Sequence, residues 1–389
     1  MARKINFTSP SGNDYYRINA VIGKNADGTY IRKQFYGSSK KEAETKKREY
    51  LEKIHGGLNA DFADMTVGNL MKRWLFNFVR FDRSYATFDR YESVYRNYVA
   101  NGSIAPLKVH EIKPLLLKGH YNKMAEEGHS PSKIFNLNKL LRTFFSFAVA
   151  EGYILKNPCS GVTVPKEHPD GFATTRIDPF NDEEIAAIMD AAKGSMKALF
   201  QFSLATGLRR GETLGLMVKD VNLGEMTVDV RQALKKVKQF ISEDEYEYVT
   251  ILEKPKTPGS VRVVPLPSGM KNILEQHIRS EEEKHRRLGL PRTEESLLFT
   301  SDACTPYDGK NVGIAFKRLL KRAGIRYRCF HNIRHTYATK LFEARVPLLT
   351  ISRLLGHSNI NITAGTYVSV MPKEKSEAAE SLNYLFGQD

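Results

Sequence analysis

The alternation of apolar and polar residues changes period along this chain, and the changes divide it into three stretches. Asp14 to Ile22 and Thr29 to Tyr36 are short runs rich in Tyr, Ile, Val and Phe. Between them GKNADG sets Asp27-Gly28 where a hairpin turn wants it. Ser38-Ser39 offers an N-cap to the helix KKEAETKKREYLEKI, whose Ala43, Tyr50 and Ile54 form a narrow apolar stripe before Gly56-Gly57 ends it. The first stretch therefore reads as a small sheet plus a helix.

From residue 66 to 157 the spacing is helical. MTVGNLMKRWLFNFVR is followed by SYATFDRYESVYRNYV, with Tyr91, Tyr95 and Tyr98, and by SKIFNLNKLLRTFFSFAVAEG, with Leu137, Leu140, Leu141, Phe144, Phe145 and Ala148. These predict an all-helical unit of four or five helices, its aromatics mostly core. Asn157-Pro158 and VPKEHPDGFATTRIDP then place a boundary near 165 to 178. Beyond it, Asn181 and Glu184 form a capping pair for PFNDEEIAAIMDAA, and helix, turn and helix follow to 219. The runs MTVDVRQ, EYVTILE and GSVRVVPLP predict one small sheet, and helices are expected over 268–286, 309–323, 331–344, 347–355 and the C-terminal KEKSEAAESLNYLF. This last stretch is mainly helical α+β.

Composition narrows the partner. The 389 residues hold 59 Lys+Arg against 44 Asp+Glu, a formal net charge of +15. The excess is spread along the chain rather than gathered in one tail, as expected of a molecule gripping a long polyanion at several places. No apolar run approaches the ~18 residues of a membrane span and no secretory leader is visible, so the expected setting is the cytoplasm. The three cysteines are far apart and form no CxxC, so neither a disulfide framework nor a zinc ribbon is encoded. Phosphate-loop and dinucleotide motifs are also lacking. HNIRH has the histidine spacing of a zinc protease helix, but Asn332 stands where the catalytic glutamate belongs.

What remains is a set of cations and one tyrosine. ATGLRRGETLGL carries Arg209 at a Gly-marked turn, EKPKTPGSVRVVPLP carries Lys256 near a predicted β-hairpin tip, and HNIRH carries His331 and Arg334 on one helical face. LLGHSNI carries His357, and NITAGTYVSV carries Tyr367 ten residues later. In this order the boxes resemble those of the tyrosine recombinase, or integrase, family, most like the integrases of conjugative transposons and phages. The resemblance implies that Arg209, Lys256, His331, Arg334, His357 and Tyr367 are catalytic and that Glu212 supports Arg209 structurally. It implies a multidomain fold: residues 1–58 an arm-type DNA-binding domain of a three-stranded sheet plus helix, 62–165 an all-α core-binding domain, and 178–389 a mainly-α catalytic domain with a small sheet and a C-terminal exchange helix. Arg17, Lys24, Arg32 and Lys33 on the leading strands are then candidates for DNA contact.

The implied reaction cuts and rejoins DNA strands through a covalent 3′-phosphotyrosine, integrating and excising a mobile element without metal, ATP or other cofactor. Its partners would be double-stranded DNA at core and arm sites and three further copies of the chain, joined by C-terminal helix exchange, with an excisionase and a DNA-bending protein as accessories and the bacterial nucleoid as its place. Two other readings share parts of the pattern. A type IB topoisomerase nicks and reseals with a similar residue set, and an architectural DNA-binding protein would need the charge without the chemistry.

Overall fold

The computed structural model describes residues 6–8, 14–24, 30–55, 65–165, 178–255, 260–357 and the single positions 360 and 364. It separates into two compact units, Met1–Gly171 with Ile241–Glu245, and Phe172–Phe240 with Tyr246–Asp389.

In the first unit β1 (Phe7–Thr8), β2 (Asp14–Lys24) and β3 (Tyr30–Gly37) form an antiparallel sheet in that order, followed by α1 (Lys40–His55). The predicted serine cap is present: the Glu42 N–H donates to Ser39 Oγ at 3.2 Å, and the Glu42 carboxylate accepts from the Ser38 N–H at 2.8 Å. Ala20, Phe35 and Ala43 close one face of the sheet against the helix. The expected Asp27-Gly28 turn lies outside the described residues.

Five α-helices are described in the remainder of this unit. α2 (Val67–Trp74) passes through a π-helical turn, Leu75–Val79, into α3 (Arg80–Asp82), and α4 (Tyr85–Tyr98), α5 (Pro114–Glu126) and α6 (Pro131–Ala150) follow. The α6 stripe read from spacing, Leu137 to Ala148, is buried throughout. The tyrosines at 91, 95 and 98 are only half-buried, and Tyr95 Oη donates to Gly68 O at 3.3 Å. Asn157 closes the bundle by donating to Arg142 O and Ser146 Oγ, both at 2.9 Å. The boundary expected between 165 and 178 falls on residues outside those described.

The second unit begins with α7 (Asp182–Ala191), where the Asn181 and Glu184 capping pair forms as expected, then α8 (Gly194–Thr206) and α9 (Arg210–Leu214). β4 (Val221–Asn222), β5 (Thr227–Val230), β6 (Ala233–Phe240), β7 (Tyr246–Glu253) and β8 (Arg262–Pro265) come next. They are followed by α10 (Met270–Arg287), α11 (Gly309–Arg322), α12 (His331–Glu343) and α13 (Leu348–Leu355). The C-terminal KEKSEAAESLNYLF lies outside the described residues.

Two sequence expectations fail here. The strands make two sheets rather than one: β4-β5-β8, and β6-β7 by themselves. β6 escaped notice because its buried residues, Leu234, Val237 and Phe240, recur every third position and its remaining positions include three lysines, which is not strand-like alternation. In consequence the segment carrying Lys256 is not flanked by a hairpin, since β7 pairs with β6 while β8 pairs with β5.

The core of this unit is aromatic. Phe316 of α11 stacks on Phe200 of α8 and meets Phe180 and Phe330 edge-on, with centroids 6.2, 6.1 and 5.2 Å away. All four rings are buried, so α8, α11 and the approach to α12 share one hydrophobic centre. Phe316→Ala should lower the unfolding free energy of this unit by about 3–5 kcal/mol, read as a reduced urea midpoint; a loss below about 1 kcal/mol would mean that the rings do not carry this packing.

Candidate active site

Two turns, a strand and a helix deliver the candidate side chains to one place. α8 ends in the left-handed Gly207 (φ +61), where a Cβ would come within 2.1 Å of the Tyr337 ring, so only glycine closes this turn. The turn sets Arg209 at the N-cap of α9, with Glu212 three residues on. The Glu212 carboxylate accepts the Arg209 backbone N–H at 2.9 Å and Arg209 Nη1 at 2.8 Å. Arg262, the first residue of β8, reaches the same carboxylate through Nη2 at 2.9 Å.

Arg334 is buried on the inner face of α12, donating from Nη1 to Gly207 O at 2.9 Å and from Nη2 to Leu355 O at 2.5 Å. The second acceptor lies at the C-terminal end of α13. Arg262 Nε donates to Leu354 O at 2.7 Å, and Arg209 Nη2 to Gly356 O at 3.4 Å. Three guanidiniums thus fall on three consecutive carbonyls at an end that a helix leaves unsatisfied and partly negative. The next residue is His357, whose N–H returns to Ser352 O at 3.1 Å.

The charges act on one another. Burial alone would raise the Glu212 carboxyl, but the hydrogen bond and charge of Arg262, then those of Arg209, hold it below the usual carboxylate range. His357 is pushed down to about 4, first by desolvation and then by Arg334, Arg209, Arg262 and His331. His331, at the start of α12, keeps an exposed edge, yet the protein around it desolvates the ring, and His335, Arg334, Arg209 and Arg210 add repulsion that brings it to about 4 as well. The His331 and His335 rings meet edge-on, with centroids 4.9 Å apart.

Of the residues singled out from sequence, Arg209, Glu212, His331, Arg334 and His357 come together. Lys256 and Tyr367 lie outside the described residues. On the small sheet, Arg17 and Arg32 share the face turned away from α1, whereas Lys33 points to α1, donating to Tyr50 Oη at 3.2 Å with its ammonium 4.3 Å from that ring's centre. The Lys24 side chain is not described. Sequence reading missed Arg262. The segment VRVV at the start of β8 turns Val261 and Val263 outward, 52% and 58% exposed, and leaves the arginine side chain 7% exposed, the reverse of what hydrophobicity alone suggests. Among the described residues no group of His, Cys, Asp and Glu could hold a metal ion, and no helix is long and apolar enough to cross a membrane.

Comparison with known proteins gives the family. Residues 178–374 match the model of the phage integrase family. A tyrosine recombinase XerC-like protein of Caldanaerobacter subterraneus subsp. tengcongensis is 45% identical over 392 residues, covering 99% of this chain and 100% of the relative. The fold is similar to that of the Tn1549 transposon integrase in complex with transposon right end DNA, with TM-score 0.65 and 22% identity over 83% of this chain and 100% of the other. It is also similar to lambda integrase, as a dimer bound to a COC′ core site (TM-score 0.56, 16% identity, 94% and 96% covered) and as a tetramer bound to a Holliday junction (0.53, 18%, 91% and 95%). The chain belongs to the phage integrase family, the tyrosine-type site-specific recombinases.

Both depressed histidines have a measurable consequence. In the folded protein they take up protons only near about 4, against an ordinary value of 6.5. Between these values the unfolded chain binds protons that the folded chain does not, so stability should fall as the pH is lowered through that window. Replacing His331 and His357 together with Asn should flatten the fall of the thermal midpoint over the same range; curves parallel to the native one would contradict the assignment.

Proposed function

We propose that Arg209, Lys256, His331, Arg334, His357 and Tyr367 form the strand-transfer site of this recombinase and that Glu212 orients Arg209. The observation that carries this reading is the convergence of Arg209 and Arg334 on the helix end that bears His357. A phosphodiester resists attack because its nonbridging oxygens are anionic, and guanidiniums held in fixed positions offset that charge and favour the transition state. Arg209 is partly exposed and so can turn N–H groups toward such an anion while Glu212 holds its other edge.

The Tyr367 oxygen then forms a bond to phosphorus as the bond to the deoxyribose 5′-oxygen breaks. Lys256 protonates the departing 5′-oxygen. His331, neutral at pH 7, can accept the phenol proton, and His357, also neutral, can donate one N–H to a phosphate oxygen. Attack by a second 5′-hydroxyl on the phosphotyrosine rejoins the strand and returns the tyrosine. The ester conserves the bond energy, so the sequence of steps needs no nucleotide, and the chemistry integrates and excises a mobile element.

In this reading residues 178–389 are catalytic, 62–165 grip the core site and 1–58 bind arm sites, with Arg17 and Arg32 on the open sheet face best disposed toward DNA. The lambda tetramer on a Holliday junction is the pattern for four copies here, linked through KEKSEAAESLNYLF, in whose sequence Ala379, Leu382, Leu385 and Phe386 recur at helical spacing.

The test begins with duplexes that the full chain selects from a random-sequence pool, nicked at successive positions. These should trap an SDS-resistant adduct with the native protein and none with Tyr367→Phe; adducts in the variant would refute the nucleophile. Plasmid relaxation without exchange between two sites would favour a nicking and resealing enzyme. Arg209→Lys keeps the charge and loses the fork, so it should bind DNA normally and form adduct about 10²-fold more slowly. Matching losses of binding and cleavage would contradict the role given to Arg209.

A further inference from the structure

We infer that Arg262 is a positioning residue for strand transfer: without touching DNA, it bolts the Glu212 and Arg209 pair to the turn that carries His357. The inference rests on the active site proposed above. Its side chain is 7% exposed, and each of its nitrogens has a protein acceptor. Nε donates to Leu354 O at 2.7 Å, Nη2 to Glu212 Oε2 at 2.9 Å, and Nη1 to Ser260 O at 3.1 Å with Glu212 Oε1 at 3.5 Å. A guanidinium used up in this way is not a phosphate ligand.

Its placement joins parts of the site that the chain itself keeps far apart. Glu212 belongs to α9 and Leu354 to α13, and Arg262 on β8 spans the gap between them with one rigid plane. The turn after α13 rests directly on that plane. Gly356 is left-handed (φ +64), and a Cβ there would stand 2.8 Å from Arg262 Nη1, so the backbone leading into His357 closes over the guanidinium only because the residue is glycine. Arg209 grips the carbonyl of that same glycine. Stability alone is a weak reason for such a group, because removing a cation from water costs much of what its ion pair returns. Geometry supplies the stronger reason: a small displacement of a group around a reacting phosphorus is enough to slow the reaction severely.

The experiment is a double-mutant cycle between Arg262→Gln and His357→Ala in the full chain, read as single-turnover adduct formation on the selected nicked duplexes, with DNA affinity and thermal midpoint measured alongside. Arg262→Gln should slow adduct formation by about 10²-fold at unchanged affinity. Arg262→Lys, which keeps the pair with Glu212 but cannot hold Leu354 O at the same time, should recover part of the rate. In the His357→Ala background the Gln substitution should cost far less, because the turn it disorders no longer carries the histidine. Equal losses in both backgrounds, or native-rate cleavage by Arg262→Gln, would overturn the inference. If Arg262→Gln does not fold, Arg262→Lys goes through the same cycle and additivity there overturns it equally. Tyr367→Phe runs in parallel: adducts in that variant would refute the active site itself, whereas a dead Tyr367→Phe beside a fully active Arg262→Gln would remove only the role of Arg262.

Discussion

The C-terminal end of α13 leaves three carbonyls, Leu354, Leu355 and Gly356, without helical partners, and each receives an N–H from a different arginine. A helix end is partly negative, so it holds cations together that would otherwise repel. Arg209, Arg262 and Arg334 come from a turn, a strand and another helix, and their shared acceptor is what makes them one site. The glycines at 207 and 356 follow from the same constraint. Both are left-handed, and both permit a backbone approach that any side chain would block, by the Tyr337 ring in one case and by Arg262 in the other.

Crowding the cations has an electrostatic price, and it is met in two ways. Glu212, buried between Arg209 and Arg262, stays ionised and supplies the compensating negative charge. The imidazoles of His331 and His357 stay neutral, first because burial desolvates them and then because the surrounding positive groups repel a further charge. Neutrality suits them to proton acceptance and hydrogen bonding at pH 7. One arrangement thus combines fixed positive charge with imidazoles that stay neutral beside it.

Much of this was legible in the sequence, and the pattern of failure is physical. Elements whose apolar period matched their own geometry were read well, as with α6 and with the cap of α7, because burial on one face leaves a periodic trace. β6 left no such trace, with buried residues every third position and lysines between them, and losing it merged two sheets into one. The candidate residues Arg209, His331, Arg334 and His357 were found through local boxes around glycine turns and helix starts. Arg262 was not, since its partners Glu212 and Leu354 lie 50 and 92 residues away and nothing local marks an inward-facing arginine between two valines. Likewise Lys33 and Arg32 are neighbours in sequence, but adjacent strand residues face opposite ways, and only the packing of α1 tells which of them meets a tyrosine and which meets solvent.

Sequence distance also explains why the site depends on the aromatic core. Arg209 meets Gly356 across 147 residues and Arg334 meets Gly207 across 127. Bringing such distant segments together costs chain entropy that a few polar contacts near a solvent-open surface cannot repay. The Phe180, Phe200, Phe316 and Phe330 cluster does so instead, since it joins α8, which ends at Gly207, to the residue that precedes His331. The polar network then selects, among the arrangements the core allows, the one in which α13 ends against the arginines. Hydrophobic burial brings the segments within reach, and the shared helix end sets their final register.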